Sequence, residues 1–241
     1  MKFEVVPVHE NFRGLPYGEW AAIWNNWLMS ADPDNTTRKD FLFLRGNLDY
    51  RAVGTSEDVP RYLDPRSAFA RIDNNAETIF ENTAILVPVL TATYSIGNVY
   101  DGRRLNSEYE LREAVNRDTD ESLSIWARIA HGKEISGIVD DLNAFRVEST
   151  LFKLSIPVNS RLRQRTQVIF KPGVYETVVG GIFLILRTPP SGKYRIEFGG
   201  NGRGNYSTNS IYDIVVEGVR TLSVVDRTNE MKRRRPLPRI S

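Results

Sequence analysis

The part of the sequence that most resembles a ligand-binding loop is the glycine-rich run that starts at Lys193, KYRIEFGGNGRGNYSTNSIYDIVV. A loop that cradles phosphate needs a helix directly after it, because the helix N-terminus supplies free amides and a positive dipole. The residues after these glycines instead alternate like a strand, and the glycine spacing fits neither nucleotide-binding fingerprint. The run therefore predicts a wide turn between antiparallel strands, with glycine supplying positive φ angles. The alternative is a ligand loop that uses Arg203, Asn205 and Tyr206.

Acidic and histidine side chains raise three further possibilities for chemistry. Asp140 and Asp141 could belong to a carboxylate pair of the kind that hydrolyses glycosides, although acidic residues are also ordinary in a loop. The run ADPDNTTRKDF resembles a calcium loop, but Thr37 and Phe43 stand where Gly and Glu are needed. Neither histidine has a partner at metal-site or triad spacing, and His131 precedes a glycine as in a turn. We predict no catalytic, cofactor-binding or metal-binding residue and no enzyme activity.

Arginine is concentrated in two places. The run RLRQR at 161–165 would place three arginines on one side of a strand, either as a solvated face or as partners for carboxylates or phosphates. The C-terminal stretch DRTNEMKRRRPLPRIS is basic and proline-rich, a composition typical of disorder. Ordering such a segment costs about 1–2 kcal/mol per residue, so we expect neighbouring subunits to hold it.

The partner expected for both chain ends is protein. The formal net charge is only +2, which counts against nucleic acid, and the prolines of the tail suit extended docking in a protein groove. The residues predicted to contact other subunits are Lys2, Phe3, Lys232, Arg233, Arg234, Arg235, Leu237 and Arg239.

Hydrophobic periodicity predicts the elements that carry these residues. The segment PYGEWAAIWNNWL places Trp20, Trp24 and Leu28 on one face of a helix, which favours burial against a sheet over an exposed sugar-stacking platform. NSEYELREAVNRDTDES is typical of a surface helix, and TAILVPVL of a buried strand. From residue 123 onward, short β runs recur about every ten residues with turn residues between them, the pattern of a sandwich or jelly roll.

These patterns predict a mainly β protein: an antiparallel, jelly-roll-like β-sandwich with an N-terminal Trp-rich helix and an inserted surface helix. We expect an N-terminal arm at 1–16, one sandwich domain at 17–225 and a basic tail at 226–241. The 241 residues contain 41% hydrophobic residues, enough for a substantial core, and no cysteine, which excludes disulfides. The start has no apolar signal region and no run reaches membrane-spanning length, so we expect synthesis and retention inside a cell.

Several segments, in order, resemble a group of bacterial β-proteins. GGIFLILRTPPSGKYRIEFGG followed by YSTNSIYDIVV resembles that group's G-x-W-x-L-L-x-P-L-P-P-G-x-H-x-I-x-F-G-G phrase and its last strand. The tryptophan helix, FLFLRGN, TAILVPVL and HGKEISGIVDDLNAFRVESTLFKLSIP resemble its other segments, so the resemblance covers most of the chain. The chain departs from the pattern at Ile182 and Phe183, where the group has Tyr-Trp, and in having no signal peptide.

The resemblance implies a β-sandwich and a place among proteins carried by tailed bacterial viruses, marine cyanophages among them. It implies no catalytic residues. We therefore expect a structural virion protein, made in the host cytoplasm, that contacts copies of itself or other virion proteins through its two ends. The alternative is a carbohydrate-binding module in which exposed aromatic residues stack on sugars; the candidates are Tyr94, Tyr100, Trp126, Tyr206 and Tyr212. No membrane contact and no cofactor are expected.

Overall fold

The computed structural model describes residues 3–30, 37–38, 41–44, 77–80, 82–122, 124–160, 171–201 and 207–218. Within them, in chain order, lie α1 (Tyr17–Leu28), β1 (Thr37–Arg38), β2 (Phe41–Phe43), β3 (Glu77–Phe80), β4 (Ala84–Ser95), β5 (Val99–Tyr100), β6 (Arg103–Arg104), α2 (Glu108–Asp120), β7 (Ser124–His131), β8 (Glu134–Gly137), a 3-10 turn (Asn143–Phe145), β9 (Arg146–Glu148), β10 (Phe152–Ile156), β11 (Gly173–Leu186), β12 (Gly192–Asn201) and β13 (Ser207–Glu217).

Two sheets pack face to face. The first sheet has the strand order β1-β2-β4-β11-β10, with β9 also paired to β11, and the second has the order β3-β13-β12-β7-β8. Most neighbours are antiparallel, but β2 pairs with β4, and β3 with β13, in parallel. The mainly β, sandwich-like fold is therefore confirmed, and the two parallel pairs are the departure from a wholly antiparallel arrangement.

The core between the sheets is built by the alternation of side chains along each strand. Val87 and Leu184 point inward from the first sheet and meet Ile196 and Phe198 of the second, and all four are at most 1% exposed. Since apolar burial contributes roughly 25 cal/mol per Å², this layer is a main source of stability.

A third layer covers the outer face of the first sheet. Trp20, Trp24 and Leu28 of α1 are buried against Phe41 and Phe183 of that sheet, as the helical spacing predicts. The indole N–H of Trp24 donates to the backbone carbonyl of Leu44 at 2.8 Å. The tryptophan stripe is thus part of the core, and the sugar-stacking interpretation of this helix is wrong.

The apolar strand β4 lies in the middle of the first sheet and is covered on both of its faces. Alternate residues face the two cores, which explains why its sequence is an uninterrupted apolar run. Pro88 lacks the N–H that a ladder needs, and the register against β11 shifts between Ile182 and Phe183, opposite this proline. Gly181 at the same place has φ +136, and a β-carbon there would lie 2.1 Å from the carbonyl oxygen of Leu90.

Helix α2 packs across one end of the first sheet, as expected for an inserted surface helix. Ser107 and Glu110 form a reciprocal capping box at its start. Leu111 and Val115, on the side of α2 that faces the sheet, are buried. Its polar side is tied to β9, where Arg112 pairs with Glu148.

The N-terminal segment lies along β11 of its own chain. The backbone N–H of Val6 donates to Ile185 at 2.9 Å, and that of Arg187 donates to Glu4 at 2.8 Å. The hydroxyl of Tyr17 donates to the carbonyl of Val6 at 2.6 Å and accepts from the N–H of Ile185 at 3.0 Å. Burial raises the pKa of Tyr17 above its ordinary range. The part of the predicted arm from Phe3 onward is thereby anchored to the first sheet.

Candidate functional site at the β7–β8 hairpin

The β7–β8 hairpin forms one border of the second sheet and carries two open surfaces. The turn between the strands is Gly132-Lys133, and Gly132 has φ +62, the conformation that a two-residue hairpin needs at this position. His131 closes the turn: its Nδ1 lies 3.0 Å from the carbonyl oxygen of Lys193, and its ring stacks on Tyr194. His131 is thus the last residue of β7, next to the turn and not in it as the sequence indicates, and its side chain contacts β12.

The outer face of β7 lines an open depression of about 370 Å³. Trp126 and Arg128 lie on this face because Ala127 and Ile129, between and beyond them, point into the core. Trp126 is directly opposite Gly199 of β12, where no side chain competes with the indole for space. The depression therefore has one wide aromatic side chain beside a cation.

The opposite wall of the depression is the loop that follows β8. Asp140, Asp141 and Asn143 line it. The loop is fixed from below by Leu142, which packs against the core between the sheets, and by the N–H of Ile138, which donates to Ala127 at 3.0 Å. One oxygen of Asp141 accepts the backbone N–H of Asn143 at 2.9 Å. The carboxyl group of Asp140 and the side-chain amide of Asn143 have no hydrogen-bond partner among the described residues.

This combination suits a polyhydroxylated ligand. A half-buried indole offers an apolar face to the C–H groups of a sugar ring, while carboxylate, amide and guanidinium groups can bond its hydroxyls. The sequence analysis names Trp126 and the two aspartates as separate candidates, but it does not predict that they line the same depression. Arg128 and Asn143 were missed; only the alternation of β7, which places Arg128 beside Trp126, could have indicated the first.

A second open surface is the free edge of β8. All four of its residues are exposed, and Ile135 is 68% exposed. His131 pairs with Glu134 across a two-residue turn, so these two exchange ladder hydrogen bonds, and the pattern alternates from there. The backbone N–H and C=O groups of Ile135 and Gly137 therefore point away from β7. They have no partner among the described residues.

The corresponding edge of the first sheet is partly covered by a side chain. On β10, the groups that point away from β11 belong to Lys153 and Ser155. The side-chain amide of Asn26 in α1 donates to the carbonyl of Lys153 at 3.4 Å and accepts the N–H of Ser155 at 3.2 Å. Asn26 thus imitates a neighbouring strand at one carbonyl and one N–H of β10 and stands in the way of further pairing there.

The other aromatic candidates for sugar stacking have structural roles where they are described. The hydroxyls of Tyr94 and Tyr100 both donate to the carboxylate of Asp118, at 2.5 and 2.9 Å, and their rings pack edge to face. Tyr212 is 2% exposed in the core and stacks on Phe198. Tyr206 lies outside the described residues, as do Arg203 and Asn205.

Of the predicted subunit-contact residues, Phe3 alone is among the described residues. Phe3 is 7% exposed and packs edge to face on Tyr194, with ring centroids 5.2 Å apart. Phe3 is therefore part of the core of its own chain, and its predicted contact with another subunit stays a prediction. Outside the described residues lie Lys2, the arginines at 161–165, most of the calcium-like run at 31–41 and the tail residues Lys232, Arg233, Arg234, Arg235, Leu237 and Arg239. The described residues of that run, Thr37, Arg38 and Phe41, lie in β1 and β2. The glycine-rich run does connect two antiparallel strands, β12 and β13, as predicted, but Gly199 and Gly200 belong to β12 and do not have the positive φ angles expected of a turn.

No family model, curated protein or solved structure matches the chain. In the part of the chain that the structure describes, no three histidine or acidic side chains come together as a metal site would require. Neither helix of that part is long and apolar enough to cross a membrane.

Proposed function

We propose that this protein is a non-enzymatic structural subunit of a tailed-phage virion, acting in capsid decoration, the neck or the tail. The sequence resemblance gives the class of particle. The observation that carries the assembly role is the contrast between two sheet edges. Asn26 bonds one carbonyl and one N–H of β10, whereas the outward backbone groups of β8 have no partner in the part of the chain that the structure describes and lie beside an exposed isoleucine. An open edge is a template for pairing with another chain.

A rigid platform supports this role. Helix α2 is tied to β9 by the Arg112–Glu148 pair, and Arg146 of β9 pairs back with Asp120 of the helix. On the outer face of the second sheet, Arg195 and Asp213 form a two-pronged ion pair across neighbouring strands at 2.7 and 2.9 Å. Such two-pronged pairs fix geometry, so neighbours would meet a surface of constant shape.

Cross-linking mass spectrometry on particles purified from the native host tests the assembly role. We expect the chain to be a particle component, with cross-links from Lys2 and Lys232 to other chains. A chain absent from particles, or one whose two lysines link only within their own chain, would refute the proposal.

A second candidate function is glycan binding, favoured by the depression between Trp126 and Asp140. Loss of a central tryptophan from an interface costs about 2 kcal/mol or more, which is roughly a 30-fold rise in Kd. Glycan-array screening of the full chain would find the ligand, and Trp126→Ala should then weaken its binding by this factor. Tyr109→Ala is the control, because Tyr109 is 69% exposed on α2, away from the depression. Equal effects of the two substitutions, or no glycan bound by the unaltered chain, would dispose of this candidate.

A further inference from the structure

The free edge of β8 has a pattern of hydrogen-bonding groups that is complementary to itself. Ile135 and Gly137 both direct their backbone N–H and C=O groups outward, and Ser136 lies between them facing the other way. If two copies of this edge run antiparallel with Ser136 opposite Ser136, each Ile135 faces the Gly137 of the other copy. The two residues of each such pair then exchange two hydrogen bonds. The contact between the two β8 strands, called the seam below, therefore contains four hydrogen bonds.

We propose that β8 pairs with β8 of a second copy of this chain around a two-fold axis at Ser136. This inference rests on the proposed assembly role and names the partner. The seam would join the second sheets of the two copies into one continuous sheet of ten strands.

The side chains fit this register. Ile135 and Gly137 lie on the outer face of the sheet, because their ladder partners Ala130 and Arg128 lie there. Across the seam each Ile135 would cover the Gly137 of the other copy, where no side chain stands in its way. The two isoleucines would also be diagonal neighbours, within reach of each other. The register therefore removes from water an apolar side chain that is otherwise 68% exposed.

Two of the charges near the ends of β8 favour an antiparallel seam, whereas Glu134 would face the uncharged Ile138 of the other copy. Lys133 precedes the strand in the turn, and Asp140 follows it in the loop. An antiparallel arrangement brings Lys133 of each copy toward Asp140 of the other, and the two-fold axis makes this contact twice. A parallel arrangement would instead place like charges together, so the charges favour the antiparallel arrangement.

The seam is short, so it should be weak in dilute solution. Stable complexes bury at least about 1,200 Å² in total, more than two four-residue strands supply. Its strength would come from the many simultaneous contacts of an assembly, where neighbours are held at high effective concentration. A test must therefore trap the contact instead of relying on a stable dimer.

Disulfide trapping provides that test because the chain has no cysteine of its own. In the proposed register the two Ser136 residues form a pair without mutual hydrogen bonds, with Cα atoms about 4.5 Å apart, a separation that a disulfide can span. Full-length Ser136→Cys, oxidised at high protein concentration, should form a covalent dimer. Lys133→Cys is the matched control: the two copies of residue 133 would be about 20 Å apart, six residues at roughly 3.4 Å each.

A proline variant then separates pairing from random collision. Ile135→Pro removes an N–H that points away from β7, so the monomer should keep its fold, since proline is tolerated on a free edge. Combined with Ser136→Cys, it should reduce the covalent dimer at least tenfold, with an unchanged circular dichroism spectrum. Equal dimer yields from Ser136→Cys and Lys133→Cys, or a Ser136→Cys yield that the added proline leaves unchanged, would overturn the seam.

Failure of the seam and failure of the assembly role are distinguishable. If Ser136→Cys does not trap a dimer while Lys2 and Lys232 still link to other chains in native particles, only the β8 partner is wrong. If the chain is absent from particles, the assembly role itself is refuted.

Discussion

The hydroxyl of Tyr17 is the single polar atom that most directly ties the N-terminal segment to the first sheet. Replacing this residue by phenylalanine keeps the ring in the core but removes the oxygen that lies between Val6 and Ile185. Both residues are at most 1% exposed, so water cannot replace the lost partner. The substitution leaves one buried carbonyl and one buried N–H unsatisfied, and each costs about 1–3 kcal/mol. We expect Tyr17→Phe to lower the free energy of unfolding by about 2–6 kcal/mol.

Urea titration followed by tryptophan fluorescence measures this loss, with an unchanged m value showing that only stability has altered. Tyr109→Phe is the control because it removes the same atom from an exposed tyrosine whose hydroxyl bonds Glu113 at the surface. It should change stability by less than about 0.5 kcal/mol. If Tyr17→Phe costs no more than Tyr109→Phe, the bridge from Val6 to Ile185 does not hold the segment in place.

The same residue predicts how stability responds to alkaline pH. Burial raises the pKa of Tyr17 above 10.0, the ordinary value that applies in the unfolded chain. A group with a raised pKa in the folded state contributes stability that is complete below its unfolded pKa and is lost as the pH rises beyond it. The stability difference between the wild type and Tyr17→Phe should therefore be constant below about pH 10 and shrink above it. A constant difference across that range would contradict the assigned protonation state.

Three further predictions concern the helices. Asn26→Ala should open the β10 edge and increase self-association, measured by light scattering. The melting temperature should hardly change, because the exposed backbone groups of Lys153 and Ser155 can bond water instead. A variant that stays as monomeric as the wild type would show that Asn26 does not protect the edge. Ser107→Ala should cost about 1 kcal/mol through loss of the α2 cap. The pKa of Glu110 is lowered, chiefly by the backbone N–H of Asn106, so the contribution of Glu110 is present above its ordinary pKa of 4.5 and is lost as the pH falls below that. Unfolding titrations of wild type and Glu110→Gln should therefore converge at acid pH, and curves that stay parallel would contradict this.

Local pattern was sufficient to predict the elements that have one buried face. Trp20, Trp24 and Leu28 recur at helical spacing, and this spacing alone decides which side of α1 is buried. The glycine-rich run was placed correctly between two strands because no helix could follow it. These inferences depend on neighbours within a few residues, where sequence spacing and spatial proximity agree.

Features that depend on distant pairing were not predictable in this way. Asn26 has the appearance of a solvent-facing residue in α1, and its role arises only because β10, more than 120 residues later, lies beside it. The burial of Phe3 against Tyr194 was not predictable either, because the two residues are far apart in the sequence and meet only in the fold. The openness of β8 likewise depends on which strand ends the sheet, and periodicity does not carry that information.

The two open surfaces of the hairpin are physically linked. Gly137 contributes its outward backbone groups to the β8 edge and also lines the depression beside Trp126. Asp140 lines the same depression and is the residue that Lys133 of a second copy would approach. A glycan that engages Asp140 would compete with that lysine for the same carboxylate. A ligand that binds one arrangement better than the other must shift the equilibrium between them, so glycan binding and β8 pairing should weaken each other by the same factor.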